Sequence, residues 1–532
     1  MTDLLIIGGT VVDGTGAAGR TADVAIAGGL VEAVGDLADR PAARVLDATG
    51  YVVSPGFVDV HTHSDLTLLS SPAAHSKVRQ GVTTELVGNC GLGVTPIIRN
   101  TTGNADGLAA LRGAAGYLDL DPAVAWDWTD LPGYLDTLAA ARPSVNVASL
   151  VAHIPLRAGV VGFEDRAADE AELDRMSGLL TEALDAGAAG ASTGLVYAPL
   201  TFAREEELTA LARTVAARDR LFSWHIRDYG DHLLDSVRQV LRVAETTGCR
   251  TQISHLIAVG RRNRGKVARA LELIDAARER GADVAADVYP YLAGNAPLSQ
   301  LLPAWAQTGG EAAMRGRLTE ESVRRRVREE WSDLPTTWAE VTVSRIPADR
   351  PGVTGRTVAE LAESTGTHGD QVVLELVTEF GNAAMMVAGG RSEEDLLAAL
   401  RHPATVIASD GQALDPDGPT GLGTPHPRSY GCYPRLFGDY VRTGRLPLAE
   451  AVHKCTGAAA ARAGLRDRGE LRAGKAADVV VFAPDRIADV ATYAEPQRYP
   501  DGIRAVLVNG RVVVEDGSHL GERPGEVLRA GR

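Results

Sequence analysis

Residues 55–63 read Pro-Gly-Phe-Val-Asp-Val-His-Thr-His, a short apolar strand that ends in two histidines. Similar apolar segments recur along the chain, with Ala-, Leu- and Arg-rich helical stretches between them. We predict strands at Phe57–His61, Thr83–Gly88, Val145–Val151, Ala188–Ser192, Leu221–His225, Thr251–His255, Asp283–Val288 and Ala404–Asp410. The third to seventh begin at residues 145, 188, 221, 251 and 283, so their starts lie 43, 33, 30 and 32 residues apart. Because this spacing is the length of a βα unit, it predicts an α/β fold of the (β/α)8 TIM-barrel type.

The two ends of the chain have a different sequence pattern from the middle. Short alternating strands separated by glycine turns occur at both ends, and Asn509-Gly510 is a hairpin signal. We therefore predict one small β domain from residues 1–55 and 466–532, with the barrel over residues 56–465. The gap between the seventh and eighth strands is too long for one helix, which predicts an inserted subdomain at about 296–384.

Composition narrows the class of protein. The 532-residue chain is 45% hydrophobic and carries a net charge of −15, which argues against nucleic acid or an anionic membrane as the main partner. Gly8 and Gly9 interrupt the N-terminal apolar stretch, so it predicts a strand and no signal peptide. The four cysteines are scattered, which favours a cytoplasmic, reducing compartment. We expect a small molecule as the partner, and the composition leaves a homo-oligomer open.

Residues with metal-ligand chemistry stand at the ends of the predicted strands. His61 and His63 are two residues apart in the first strand, so both point to one side. The ends of strands two, five, six and eight carry Cys90, His225, His255 and Asp410. Active sites of such barrels lie at the carboxyl ends of the strands, and imidazole, thiolate and carboxylate are zinc ligands. We predict that these six residues hold one or two zinc ions.

Each residue alone has a structural alternative. A buried histidine is often hydrogen-bonded to the backbone, Cys90 is by itself a small buried apolar residue, and Asp410 before Gly411 is by itself a turn residue. Their joint position at the strand ends favours the metal site. His153, after the third strand, has two interpretations of equal weight: a contact to the substrate or to a metal ligand, and a structural residue.

A zinc site at the barrel mouth predicts hydrolysis. Zinc lowers the pKa of its bound water toward ~7, so that hydroxide is available at neutral pH. Asp410 beside the metal can take the proton of the attacking water and pass it to the leaving nitrogen. The chain has no lysine between residues 78 and 265, so a bridging lysine on strand four is excluded. Cys90 is the candidate to bridge two metals.

Longer motifs surround these residues. They include Pro55-Gly56-Phe57-Val58-Asp59-Val60-His61-Thr62-His63, Gly88-Asn89-Cys90-Gly91, Ser192-Thr193-Gly194-Leu195-Val196-Tyr197-Ala198-Pro199, Asp287-Val288-Tyr289-Pro290-Tyr291, Ser409-Asp410-Gly411 and His426-Pro427-Arg428. At these motifs, and nearly end to end, the chain resembles the D-aminoacylases, the N-acyl-D-amino-acid deacylases of the amidohydrolase superfamily.

The resemblance implies roles for individual residues. Cys90, His225 and His255 would surround the tighter zinc, and a second metal position would be flanked by His61, His63 and Asp410. Arg428 and Tyr289 would bind the substrate carboxylate, a task that suits a bidentate guanidinium. The chain departs from the family at Ile257, where a lysine is usual, and at Asn295, where a small hydroxyl residue is usual. Nearby candidates to replace the lysine are Arg261, Arg262 and Arg264.

The predicted function is removal of the acyl group from an N-acyl-D-amino acid or a close analogue. Ile257 leaves a less charged or larger substrate open. The first alternative is hydrolysis of a cyclic amide of the hydantoin, dihydropyrimidine or lactam type, against which the missing strand-four lysine counts. Further alternatives are a deaminase and a catalytically inactive barrel that binds metal or a ligand, and the complete ligand set counts against the inactive barrel.

Overall fold

The computed structural model describes residues 2–98, 107–347, 350 and 352–531. Met1, residues 99–106, 348–349 and 351, and Arg532, which fall within the predicted domain ranges, lie outside the described residues. The strands in chain order are β1 (Thr2–Val11), β2 (Arg20–Ala27), β3 (Leu30–Gly35), β4 (Ala42–Asp47), β5 (Val52–Pro55), β6 (Phe57–Asp59), β7 (Val82–Val87), β8 (Asn146–Ala152), β9 (Gly190–Gly194), β10 (Leu221–His225), β11 (Arg250–Ile253), β12 (Val284–Val288), β13 (Gly294–Pro297), β14 (Val341–Arg345), β15 (Met385–Ala388), β16 (Thr405–Ile407), β17 (Val479–Phe482), β18 (Ile503–Val508), β19 (Arg511–Glu515) and β20 (Ser518–His519).

The helices lie between and around these strands. In chain order they are α1 (Thr67–Ser70), α2 (His75–Val78), α3 (Gly107–Ala114), α4 (Leu131–Ala141), α5 (His153–Val160), α6 (Glu170–Asp185), α7 (Glu205–Ala216), α8 (Leu233–Thr247), α9 (Lys266–Glu279), α10 (Gly310–Arg317), α11 (Glu321–Trp331), α12 (Val358–Thr365), α13 (Gly369–Phe380), α14 (Glu393–Arg401), α15 (Arg428–Arg435), α16 (Leu448–Cys455) and α17 (Gly457–Ala463).

The barrel is a parallel sheet in the order β6-β7-β8-β9-β10-β11-β12-β16. Its first and last strands meet through the residues that follow them: the Asp410 N–H donates to the His61 carbonyl at 2.8 Å, and the His63 N–H donates to the Gly411 carbonyl at 2.9 Å. The predicted (β/α)8 barrel is therefore confirmed. All eight predicted strands are present, although the first and last end two to three residues early.

Local sequence signals explain where several barrel helices begin and end. Asp169 accepts from the Glu172 N–H, and the Glu172 side chain accepts from the Asp169 N–H, which is a capping box at the start of α6. The helix α8 buries an apolar stripe that includes Val237 and Val240, and it ends at Gly248 in the left-handed conformation. These helices cover the outer face of the barrel, whose strands are buried.

Strands from both ends of the chain form the second sheet. Its order is β20-β19-β18-β17-β5-β1-β2-β3, and β4 pairs with β1. The predicted hairpin at Asn509-Gly510 joins β18 to β19, and both residues have positive φ, of 47° and 76°. The predicted small β domain thus appears as one sheet built from both termini, while the domain boundaries at residues 55 and 465 stay predictions.

The insertion lies between β12 and β16. Its strands form the antiparallel sheet β13-β15-β14, and α10 to α13 pack on it around a separate hydrophobic core. This sheet begins at Gly294 and ends at Ala388, slightly outside the predicted 296–384, because the terminal strands β13 and β15 pair with each other. The insertion also forms one side of the barrel mouth.

Among the helices that the structure describes, none is both long enough and apolar enough to span a bilayer.

Candidate metal centre and cavity

A cavity of about 550 Å³ lies at the carboxyl end of the barrel. Its lining includes His63, Cys90, His225, His255 and Asp410, from the ends of five different strands. The insertion contributes the facing wall through residues such as Pro297, Leu302 and Met386. The barrel thus brings five of the six predicted metal ligands to the wall of one cavity, at the face where such folds carry active sites.

Four side chains converge on one point in this region. One ligand atom from each of His61, Cys90, His255 and Asp410 lies within 4.8 Å of the others. The His61 Nε2 atom is 3.1 Å from the Cys90 Sγ and 3.3 Å from Asp410 Oδ1, and the Cys90 Sγ is 3.7 Å from His255 Nε2. This group takes members from both predicted metal positions, and the Cys90 thiol and the Asp410 carboxylate both approach His61 Nε2.

The two other predicted ligands flank this group. His63 Nε2 is 3.0 Å from Asp410 Oδ1, and the His225 ring lies 4.6 Å from the His255 ring, centroid to centroid. Both nitrogens of His225, and Nδ1 of His63 and of His255, are buried without a hydrogen-bond partner among the described residues. Buried polar atoms are nearly always paired, so these lone pairs indicate a missing partner.

The protonation states of His225 and His63 suit a metal. Burial lowers the pKa of His225 to about 3 and of His63 to about 4, which leaves both imidazoles neutral, the form that coordinates metal. Burial also raises the pKa of the Cys90 thiol, so a thiolate at this depth needs a cation beside it. The unpaired nitrogens together with the thiol and the carboxylate fit a zinc ion, for which they are the preferred donors.

The backbone is unusual at three of these residues. Cys90, His255 and Asp410 have φ values of 55°, 34° and 52°, in the left-handed region that non-glycine residues rarely adopt. Such strain persists where the surrounding structure enforces it, and it is concentrated at functional sites. The turn at each residue also ends the strand before the ligand. For this reason the observed strands are shorter than predicted, and the ligands project from the loops that follow them.

Asp287 holds two of the predicted ligands, a role that the sequence analysis missed. Its Oδ1 atom lies 3.1 Å from His61 Nδ1 and accepts the His255 N–H at 2.6 Å. A hydrogen bond to the far nitrogen orients a metal-binding imidazole and fixes its tautomer. The signal was present in the sequence, since Asp287 is a carboxylate at the end of a strand, two residues before Tyr289.

A buried ion cluster lies beneath the barrel rim. Lys77 Nζ is 2.9 Å from Asp59 Oδ2, 3.0 Å from Glu85 Oε1 and 2.7 Å from Ser409 Oγ. The side chains of Lys77, Asp59 and Glu85 are fully buried. Asp59 also accepts the backbone N–H of Ser409, the residue before Asp410. This cluster therefore fixes the last strand against the first. Nothing in the pattern around Lys77 predicted it.

We expect the Lys77→Met variant to lose about 3–5 kcal/mol of unfolding free energy, because it leaves two buried carboxylates without a cation. Urea unfolding followed by circular dichroism measures the loss. The control is Lys475→Met, since Lys475 lies 3.9 Å from its nearest carboxylate, Glu470, at the surface, where such pairs contribute ~0–1 kcal/mol. Equal stability of the two variants would contradict the assigned importance of the cluster.

The predicted carboxylate-binding residues lie on one side of the metal ligands. Arg428 is buried, and its Nη1 donates to Asp410 Oδ2 at 2.6 Å, so the structure uses its charge to hold Asp410. Although burial favours the protonated acid, the Arg428 and His61 charges hold the pKa of Asp410 well below its ordinary value. Tyr289 lines the cavity, with the Arg428 guanidinium 4.8 Å from the centre of its ring. The predicted role of Arg428 in substrate binding stays a prediction.

His153 is placed differently from its predicted role as a substrate contact. It is buried, with Nδ1 3.0 Å from Thr193 Oγ1 and Nε2 2.8 Å from Glu207 Oε1, and it does not line the cavity. Both ring nitrogens are used within the fold, which favours the structural interpretation over the substrate contact.

The structure also tests the arginines near Ile257. Ile257 lines the cavity as a partly buried apolar residue, whereas Arg261, Arg262 and Arg264 do not line it. Arg262 pairs instead with Asp231 at 2.5 Å and with Asp333 at 2.7 Å. None of the three therefore replaces a cation at this point of the cavity. A different arginine, Arg391, does line the cavity, and no sequence pattern singled it out.

Comparisons with known proteins agree with this geometry. Residues 44–514 match the model of a family described as the amidohydrolase family. The chain is 36% identical to a D-aminoacylase of Alcaligenes xylosoxydans xylosoxydans over 99% of this chain and 97% of that protein. It is 37% identical to an N-acyl-D-glutamate deacylase of the same organism over 99% of this chain and 96% of that protein.

A solved structure is similar along the whole chain. It is the N-acyl-D-glutamate deacylase from Bordetella bronchiseptica complexed with zinc and a phosphonate inhibitor that mimics the tetrahedral intermediate. The TM-score is 0.83 at 35% sequence identity, covering 99% of this chain and 100% of the other.

Proposed function

The chain belongs to the D-aminoacylase branch of the amidohydrolase family, and from this we propose that it is a zinc-dependent hydrolase that removes the acyl group from an N-acyl-D-amino acid. The observation that carries the proposal is the convergence of His61, Cys90, His255 and Asp410, within 4.8 Å of one another, beside a cavity that can hold a small molecule. The relatives named above are an aminoacylase and a deacylase of N-acyl-D-amino acids, which supports this substrate class.

We propose that zinc is held by Cys90, His225 and His255, with His61, His63 and Asp410 available to a second ion. Zinc at such a site activates water and polarises an amide carbonyl. The Asp410 carboxylate, oriented by Arg428, takes the proton of the attacking water and delivers it to the leaving nitrogen.

The cavity also favours a kind of side chain. Its wall carries a set of apolar side chains: Leu195, Val196, Ile257, Val259, Leu302 and Met386. The acidic side chain of Asp228 lines it as well, and its charge would repel a second carboxylate on the substrate. We therefore propose an apolar D-amino acid as the product. The cytoplasmic location and the oligomeric state remain predictions.

We expect the zinc-loaded protein to hydrolyse N-acetyl-D-leucine with a kcat/KM at least about tenfold above that for N-acetyl-D-aspartate, because burying a leucine side chain contributes ~1.5–3 kcal/mol. A screen of both compounds, their L-enantiomers and 5-substituted hydantoins measures this. A preference for the L-enantiomers would overturn the substrate class but not the amide hydrolysis. Turnover of the hydantoins alone would replace the proposal with the cyclic-amide alternative.

A further inference from the structure

One arginine on the cavity wall has no anionic partner. Among the described residues, Arg391 forms no ion pair, and its Nε atom is buried without a hydrogen-bond partner. The Arg391 side chain is half-buried, so its guanidinium has lost part of its hydration and no anion compensates for that loss. A cation placed in this way therefore favours an anionic ligand.

The neighbouring arginines are all engaged within the fold. Arg227 also lines the cavity, but it donates to the backbone carbonyls of Thr201 and Ala203, each at 2.9 Å. Arg428 is bound to Asp410, and the surface residue Arg262 is bound to two aspartates. Among the described residues that line the cavity, Arg391 is consequently the cation that is left for a substrate.

Arg391 is held in a defined position close to the metal ligands. Its Nη1 donates to the Tyr289 hydroxyl at 2.7 Å, and its guanidinium carbon lies 5.1 Å from the centre of the Tyr289 ring. The same Tyr289 ring lies 4.8 Å from the Arg428 guanidinium, which donates to Asp410 at 2.6 Å, so Tyr289 links Arg391 to a predicted metal ligand. An anion bound by Arg391 and Tyr289 would thus lie near the reacting amide.

A glycine makes room for this guanidinium. Gly294 on β13 lines the cavity, and a Cβ atom added there would lie 1.9 Å from Arg391 Nη2 and 3.2 Å from the Tyr289 hydroxyl. Its φ is not in the left-handed region, so the backbone itself would accept alanine. The absence of a side chain at residue 294 is what allows Arg391 to turn into the cavity.

We propose that Arg391, positioned by Tyr289 and Gly294, binds the carboxylate of the substrate and thereby determines specificity for N-acyl amino acids over neutral amides. The inference rests on the proposed function. It places Arg391, which among the described cavity arginines is neither ion-paired nor bound to backbone carbonyls, opposite the single carboxylate of an N-acyl amino acid with a neutral side chain. A planar guanidinium binds a carboxylate through two parallel hydrogen bonds, which fixes the substrate's orientation as well as its affinity.

The first test compares N-acetyl-D-leucine with N-acetyl-D-leucinamide, which lacks the charge. We expect the unsubstituted protein to prefer the acid by about 10- to 100-fold in kcat/KM, and Arg391→Met to lose that preference, because a hydrogen bond to a charged group is worth that factor. Arg261→Met is the control, since the Arg261 side chain is 80% exposed outside the cavity. A preference that survives in Arg391→Met would overturn the inference.

The second test uses Gly294→Ala, which keeps the arginine and displaces its guanidinium. We expect the KM for N-acetyl-D-leucine to rise about tenfold or more while the urea unfolding midpoint stays unchanged. Binding is measured directly by calorimetry of N-acetyl-D-leucine to Asp410→Asn, with and without Arg391→Met; we expect 10- to 100-fold weaker binding in the double variant. Unchanged binding in this pair contradicts the inference even if Arg391→Met is poorly folded.

Failure of the inference and failure of the proposed function give different results. If the unsubstituted, zinc-loaded protein hydrolyses no N-acyl-D-amino acid, the proposed function is wrong, and the inference falls with it. If it hydrolyses these compounds and the variants at residues 391 and 294 do so equally well, the function stands and only the assignment of Arg391 is wrong.

Discussion

The Asp410→Asn variant is expected to lose about 10²- to 10⁴-fold in kcat for N-acetyl-D-leucine while it retains bound zinc. Asparagine has the size of aspartate, and its carbonyl oxygen can still accept the hydrogen bond that Arg428 donates at 2.6 Å. It cannot take a proton from water at neutral pH. Because Cys90, His225 and His255 remain, the ion that they hold should stay in place.

Steady-state kinetics and metal analysis of the same protein preparation measure both effects. Asp417→Asn is the matched control, since Asp417 lies on the loop after Asp410 and is exposed. Full activity in Asp410→Asn would rule out Asp410 as the proton acceptor. Loss of all zinc would instead assign Asp410 a dominant role as a ligand, and the kinetic loss would no longer report on proton transfer.

The Cys90→Ala variant is expected to lose both its zinc and its activity. Cys90 Sγ lies 3.1 Å from His61 Nε2 and 3.7 Å from His255 Nε2, so its removal takes a donor from the centre of the cluster. Partners that merely orient metal ligands contribute about 10- to 100-fold to affinity, and the loss of a ligand itself should exceed this. We expect substoichiometric zinc and a fall in kcat/KM of more than about 10³-fold.

Elemental analysis after dialysis against a zinc buffer checks the metal content. The control is Cys455→Ala, because Cys455 is also a buried free cysteine but lies outside the metal cluster. Equal zinc content in both variants would show that the Cys90 thiol is no ligand. Full zinc content with lost activity would point to a role for Cys90 other than metal binding.

The sequence predicted the barrel and its rim because both depend on local patterns. Apolar strands at intervals of 30 to 43 residues predict βα units, and the carboxyl ends of parallel strands meet at one face. That rule alone brought Cys90, His225 and His255 together across three strands. The predicted strands extended past the observed strand ends. The reason is that the left-handed turns at Cys90, His255 and Asp410 depend on tertiary packing, which residue propensities do not describe.

Contacts between distant segments were beyond the reach of the sequence. Lys77 is separated from Ser409 by 332 residues, and Arg391 from Tyr289 by 102. In the sequence such residues look like any charged residue on a helix or a loop. The role of His153 was ambiguous for a related reason. Its hydrogen-bond partner Glu207 lies 54 residues away in the chain, and this contact keeps the ring within the protein interior and away from the cavity.

The way the barrel closes has a consequence for synthesis of the protein. His63 and Asp410, which meet at the rim, are 347 residues apart. At about 5–20 residues per second, a ribosome needs roughly 20–70 s to add the second after the first. During that interval the nascent chain gains Cys90, His225 and His255 in turn, but it lacks the Asp410 carboxylate until the end. With Asp410 as the proposed proton acceptor, we expect hydrolytic capacity only after the last barrel strand has left the ribosome and docked against the first, and we expect fragments truncated before it to be inert.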